Sequence, residues 1–155
     1  MDVIIKQTDD ISLLIEWRIE VLKDVFSIPK EKSTDELKAA NLDYYRAALK
    51  DGSHIACLAY YDGEPVGCGG MCLYNEMPSP DNPSGKCAYL MNIYTRPGFR
   101  KKGIAKKTVG WLAARAVSGG ITKIYLETSE AGRKMYRDMG FEPMRDYLQL
   151  RSLNK

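Results

Sequence analysis

Asn92-Ile93-Tyr94-Thr95-Arg96-Pro97-Gly98-Phe99-Arg100-Lys101-Lys102-Gly103-Ile104-Ala105-Lys106-Lys107 decides the reading of this chain. The residues leading into it, 87–95, are apolar and aromatic throughout, as in a strand buried on both faces. Pro97-Gly98 breaks that strand. A helix follows with Ala105, Val109, Leu112, Ala113 and Ala116 on one face, and Gly119-Gly120 stops it. The first turn of such a helix carries backbone N–H groups with no intrahelical partner and the positive end of the helix dipole. Gly103 lets the backbone approach a ligand closely, Ala105 has almost no side chain, and Arg100, Lys101, Lys102, Lys106 and Lys107 surround the turn with positive charge. Those are the properties of a diphosphate site. The P-loop pattern G-x-x-x-x-G-K-[ST] is absent, and so is the G-x-G-x-x-G of a dinucleotide fold. Arg-x-x-Gly-x-Ala stands in their place, a pattern that a basic helix start on any protein surface also matches.

Outward from this stretch the elements alternate. Residues 3–7 read as a first strand. Asp9 and Asp10 offer caps to a helix whose apolar face is Ile11, Leu14, Ile15, Leu22, Val25 and Phe26, ended by Pro29. Ser33 and Glu36 form a capping box that opens a second helix running to Asp51-Gly52. Residues 54–61 and 65–74 are strands joined at the hairpin signal Asp62-Gly63, and Gly67, Gly69 and Gly70 point to a bulge or close backbone approach. Residues 76–86, with three prolines, form a loop. After the central strand and helix come a strand at 121–127, a short helix at about 131–139 closed by Gly140, and a last strand at 147–150. The order β-α-α-β-β-β-α-β-α-β implies one α/β domain over residues 1–155, with a mixed, mostly antiparallel sheet of six to seven strands.

The bulk properties exclude several classes. The chain has 155 residues, 45% hydrophobic and 28% charged, with 23 basic and 20 acidic side chains for a net charge of +3. That balance does not imply nucleic acid. No apolar run approaches the roughly 20 residues of a membrane span, and the start has no signal-peptide pattern, so a cytoplasmic protein is expected. Cys68 and Cys72, four apart on a strand, stand about 13 Å from each other, too far to share a metal ion. His54 and Cys57, three apart on a strand, point to opposite faces. No metal is expected, and the four cysteines read as buried small apolar residues. His54 is the only histidine, which argues against a Ser/His/Asp triad.

Three motifs in order resemble the GNAT (GCN5-related) N-acetyltransferases. The family has a hydrophobic-Tyr-Val-x-Pro run, matched by Ile93-Tyr94-Thr95-Arg96-Pro97. Next comes Arg/Gln-x-x-Gly-x-Gly/Ala, matched from Arg100 through Gly103 to Ala105. Tyr-x-x-x-Gly-Phe near the end is matched by Tyr136-Arg137-Asp138-Met139-Gly140-Phe141. The match covers residues 55–143 well and the N-terminal helices loosely. The resemblance implies a splayed pair of parallel strands holding acetyl-CoA as co-substrate. It places the thioester carbonyl on backbone N–H groups of Ile93 and Thr95 beside Tyr94. It places the pyrophosphate on Arg100, Lys101, Lys102, Gly103, Ile104, Ala105 and Lys106, with Ser129 as a helix cap or pantetheine contact.

In the family a tyrosine sits beside the coenzyme sulfur, which makes Tyr136 the implied general acid. A thiol at pKa about 8.5 and a phenol at about 10 leave proton transfer within reach. Some members carry a basic glutamate on the fourth strand. Tyr89 and Met91 stand at the corresponding positions, Asn92 can only position a water, and Glu76 and Glu127 are further candidates, so the base is left unassigned. A Cys87 acyl-enzyme is disfavoured, because only Lys86 is near enough in sequence to lower its pKa.

The expected function is transfer of acetyl from acetyl-CoA to a primary amine of a small molecule or peptide. The alternative is an acyl-CoA sensor of the same fold without turnover. A nucleic-acid role for the basic stretch lacks stacking aromatics beside the lysines. The resemblance places acceptor selection on the N-terminal helices and the loop before the fourth strand, where Glu31, Asp35, Glu36, Asp43, Glu76 and Asp81 give acidic character suited to a cationic amine. Family members often pair as dimers, and Tyr147-Leu148-Gln149-Leu150-Arg151 offers an edge for a homodimer.

Overall fold

The structure, a computed structural model, describes residues 2–144 and 146–152. The Asp62-Gly63 turn joins β2 (His54–Tyr61) to β3 (Glu64–Asn75), and β1 (Val3–Gln7) pairs antiparallel on the other side of β2. β4 (Lys86–Thr95) pairs antiparallel with β3, and β5 (Lys123–Leu126) pairs parallel with β4. The sheet order is therefore β1-β2-β3-β4-β5. The mixed, mostly antiparallel architecture is the expected one, with five strands among the described residues instead of six to seven.

The missing element is the last strand. Residues 147–150 have no strand pairing in the structure. Tyr147 is 65%, Leu148 100% and Leu150 84% exposed. An alternating apolar segment becomes a strand only where it finds an edge to pair with and a face to bury. This tail covers neither, and among the described residues nothing pairs with the outer edge of the four-residue β5.

Helices cover both faces. α1 (Ile11–Val25) and α2 (Asp35–Asp51) lie on one side, where Trp17 and Val21 pack on Leu58, Cys68 and Tyr94, and Leu14 and Tyr45 pack on Ala56. α3 (Ile104–Ser118) and α4 (Glu130–Asp138) cover the other, where Val109, Leu112, Ala116 and Tyr136 join Cys57, Met71, Ala88 and Leu90. Each fully buried leucine in these clusters contributes about 1.5–3 kcal/mol. His54 and Cys57 do face opposite ways. His54 is edge-on to Tyr44 and Tyr45, and Cys57 lies in the α3 cluster.

Two helix boundaries differ from the sequence reading. Asp10 caps α1 as expected, its carboxylate accepting from the Leu13 amide at 3.2 Å. The helix nevertheless ends at Val25, and Val25 and Phe26 are 62% and 70% exposed, so its buried face stops at Leu22. The capping box of α2 does not form. Thr34 is the N-cap with no side-chain bond, and Ser33 Oγ accepts from the Asp35 amide instead. The loop at 76–86 is organised by the buried Asn82, whose Nδ2 donates to Glu76 Oε1 at 3.1 Å.

Candidate active site

β4 and β5 stay in register from Cys87 opposite Lys123 to Leu90 opposite Leu126, and there the pairing ends. β4 continues alone to Thr95, held only by β3. Just past the parting the β3–β4 register shifts, and Asn92 takes φ 59°. This is a bulge in the left-handed region that asparagine tolerates. Gly69 on β3 leaves room for the side chains of α3 and of Ile93. A Cβ there would lie 2.6 Å from Thr108 Cγ2 and 3.0 Å from Ile93 Cδ1.

Beyond the bulge the Arg96 amide donates to Val66 O at 2.9 Å, toward β3. Alternation along a strand then turns the N–H groups of Thr95 and Ile93 away from β3, into the opening left by β5. The Thr95 carbonyl points away from β3 as well, accepting from Arg100 Nε at 2.9 Å. Thr95 Oγ1 is buried without a hydrogen-bond partner among the described residues. Leaving such a group unsatisfied costs about 1–3 kcal/mol, which favours a ligand that pairs with it.

The basic turn follows directly. Residues Pro97–Phe99 form a short 3-10 turn, Lys101 has φ 63° and Gly103, the N-cap of α3, has φ 78°. The helical bonding begins with the Lys107 amide donating to Gly103 O at 3.1 Å. Among the described residues, no main-chain acceptor takes the amides of Lys101, Lys102, Gly103, Ile104, Ala105 and Lys106. Lys101, Lys106 and Lys107 are exposed and form no ion pair there, and Lys102 lies 5.7 Å from the Tyr61 ring centroid.

Arg100 also has partners within the chain. Its Nη2 pairs with Asp24 Oδ2 at 3.1 Å, and its guanidinium lies over Tyr94. With Nε on Thr95 O, the side chain braces α1, the β4 end and the turn against each other.

Tyr136 is buried on α4 and joins the cluster that holds Val109, Leu112 and, at its margin, Ile93. Its motif has a structural cause. Gly140 takes φ 99°, which turns the chain so that the Phe141 amide donates to Tyr136 O at 2.9 Å. The two rings then meet edge-to-face at 5.7 Å. Burial raises the phenol above its ordinary pKa, so it stays protonated through neutral pH. Its hydroxyl has no hydrogen-bond partner among the described residues. Ser129 is the N-cap of α4 by position, but its hydroxyl makes no capping bond, contrary to the expected capping role.

A concavity of about 1300 Å³ lies away from the splay. It runs along the outer edge of β5 and includes Leu126, Tyr136, Phe141, Tyr147 and Leu148 in its lining. Its size reflects the unpaired tail, whereas the free amides stand on the other side of β5.

On the α1/α2 face of the splay the sequence reading missed Arg18 and Asn41. Arg18 Nη1 donates to Asn92 Oδ1 at 2.9 Å and its Nε to Asn41 Oδ1 at 3.3 Å. No local signal marks Arg18, which sits between the buried Trp17 and Ile19. Of the acids considered earlier, Glu76 is engaged: hydrogen bonds from Asn82 and Lys123 hold its carboxyl below the usual range. Glu127 is exposed just past the last β4–β5 pair. Burial and then the Glu127 charge raise the phenol of Tyr89, which places that carboxylate near the β4 ring. Cys87 is buried at the far end of the parallel pair. Among the described residues no group of three or more potential ligands is placed to hold a metal, and no helix is long and apolar enough to cross a membrane.

The model of the acetyltransferase (GNAT) family matches residues 19–141. The chain belongs to the GNAT acetyltransferase family. An uncharacterized N-acetyltransferase of Escherichia coli K12, YjgM, is 31% identical over 105 residues, which is 66% of this chain and 59% of that protein. The chain thus matches well under two thirds of this relative's length. Among solved GNAT-like structures, a predicted acetyltransferase with acetyl-CoA from Clostridium acetobutylicum superimposes with a TM-score of 0.83 at 25% identity, covering 97% of this chain and 96% of that one. A GCN5-related N-acetyltransferase from Ralstonia eutropha JMP134 shares the fold, with a TM-score of 0.77 at 22% identity over 96% and 98% of the two chains.

Proposed function

We propose that this GNAT protein moves acetyl from acetyl-CoA to a primary amine by direct attack. The observation that carries the reading is the pairing of two donor sets. The inward-turned amides of Ile93 and Thr95 end β4, and the unpartnered amides and lysines from Lys101 to Lys106 open α3 directly after it. The acetyl-CoA complex of the Clostridium relative supports the choice of co-substrate. The Ile93 and Thr95 amides are fixed donors for the oxyanion that develops as an amine attacks the thioester. The amides and lysines of the α3 start take the diphosphate. Tyr136 gives its proton to the departing sulfur.

The test joins binding to turnover. Saturating acetyl-CoA is expected to raise the melting temperature, since a ligand bound only by the folded state at 100 times its Kd adds about 2.7 kcal/mol. A panel of amines is expected to include at least one that releases free CoA above the rate without amine. No thermal shift with either CoA or acetyl-CoA overturns the reading. A shift without CoA release from any amine replaces it with the sensor.

A homodimer is also proposed, on the exposed apolar side chains Tyr147, Leu148 and Leu150 beside a β5 edge that no described residue pairs with. Light scattering at high concentration is expected to give twice the 17.5 kDa chain mass, and a monomer mass removes the dimer.

A further inference from the structure

Arg18 is a half-buried cation. Its neighbours one turn away on α1 are Leu14, Ile15, Val21 and Leu22, and among the described residues no ion pair includes it. Two amide oxygens hold it. Asn41 is itself locked, its Nδ2 donating to Leu37 O at 2.8 Å, and Asn92 sits in the left-handed bulge at the mouth of the splay. These contacts use Nε and one hydrogen of Nη1. A guanidinium has five N–H donors, so Nη2 and the second Nη1 hydrogen remain, forming a fork of the width a carboxylate fits. Its charge is felt nearby: after burial, Arg18 is the next cause that keeps His54 low, at about 4.

A half-buried charge without a counter-charge is unfavourable, and amide oxygens compensate only part of it. The other arginines near the splay are paired: Arg96 with Glu20 at 3.0 Å and Arg100 with Asp24 at 3.1 Å. Arg18 alone of the three is left open, and it alone touches the bulge from which the Ile93 amide follows. It lies on the α1/α2 face, opposite the α3 side where the diphosphate donors stand.

We propose that Arg18 anchors a carboxylate on the acceptor, so that the amine acetylated here is that of an amino acid or a similar carboxylate-bearing amine. The proposal rests on the acetyl-transfer reading and names its substrate class. In an α-amino acid the nitrogen is one carbon away from the carboxylate, so a carboxylate on the Arg18 fork holds the amine beside the Asn92–Thr95 strand. The amine nitrogen forms the bond to the acetyl carbon as the carbon–sulfur bond breaks. Reacting as the neutral amine, the nitrogen loses one proton to solvent, and the sulfur gains one from Tyr136, which solvent reprotonates, giving an N-acetylamino acid and free CoA.

The experiment compares amino acids with their decarboxylated amines: leucine with 3-methylbutylamine, phenylalanine with phenethylamine, lysine with 1,5-diaminopentane. Two readouts are taken, CoA release from acetyl-CoA and binding to the CoA-loaded protein. The carboxylate-bearing member is expected to be preferred on the order of 100-fold in kcat/KM, the worth of one bidentate charge-assisted pair. Arg18→Gln is expected to collapse that ratio to within a few-fold, mainly through KM. Asn41→Asp supplies an internal counter-ion without changing side-chain shape, and it is expected to collapse the ratio too if Arg18→Gln folds poorly. The acetyl-CoA thermal shift checks the fold of both variants. No preference in either readout, or a preference that survives both substitutions, overturns the anchor. If no amine turns over, preferential binding of the amino acids to the CoA-loaded protein upholds it and equal or absent binding overturns it. Loss of the acetyl-CoA shift in the parent protein sinks the acetyl-transfer reading itself.

Discussion

Gly103→Glu is expected to abolish the thermal shift given by acetyl-CoA and to weaken CoA binding by at least about 100-fold, the size of effect that follows from losing two or more charge-assisted contacts. Three features of the position combine. Gly103 is the N-cap of α3 at φ 78°, a conformation L side chains rarely adopt. A Cβ there meets nothing within 4 Å, so the new side chain projects into open space in front of the free amides. Its carboxylate then occupies the positive helix end and competes with the diphosphate it repels. Gly103→Ala separates the causes. It carries the same backbone penalty, of order 1 kcal/mol, without the charge, so its melting temperature reports the strain and its CoA affinity reports the crowding. Isothermal titration of parent, alanine and glutamate variants is the measurement. Equal CoA affinity in all three places the diphosphate elsewhere.

What the sequence could reveal depended on how local the cause was. The Arg100–Ala105 turn, the hairpin at Asp62-Gly63 and the Tyr136–Phe141 motif are set by neighbours in the chain, and each stands where its residues put it. Gly140 and Phe141 are a good instance: a positive φ and one returning amide explain the motif without reference to distant elements. Arg18 was not legible, because its partners Asn41 and Asn92 are 23 and 74 residues away. The same holds for Asp24, which meets Arg100 across 76 residues and gives the expected phosphate ligand a partner on α1. The last strand failed for the opposite reason. The alternation at residues 147–150 is real, but pairing needs an edge, and the sequence pattern cannot supply one.

Tyr136→Phe is expected to keep acetyl-CoA binding and lose roughly 10²–10⁴-fold in kcat, the usual worth of a positioned general acid. Removing one hydroxyl changes little volume, and the edge-to-face contact with Phe141 needs only the ring, so packing survives. The hydroxyl has no partner among the described residues whose loss would disturb the fold. The acid–base direction follows from the site. Burial raises the phenol, which keeps the proton available but makes it a weaker acid than in water. A thiolate leaving inside the same protein is also poorly solvated, which raises the thiol pKa and keeps the two within reach. The deficit is therefore expected on kcat and hardly on CoA affinity, because the hydroxyl acts as charge develops on sulfur. It is expected to narrow as pH rises past the free thiol's value of about 8.5 toward the raised value in the site, where sulfur leaves without a proton. Initial rates of CoA release across pH, parent beside variant, read both effects with any amine that turns over. Equal kcat at every pH leaves Tyr136 as a ring that packs α4 on the sheet, and the proton then comes from solvent.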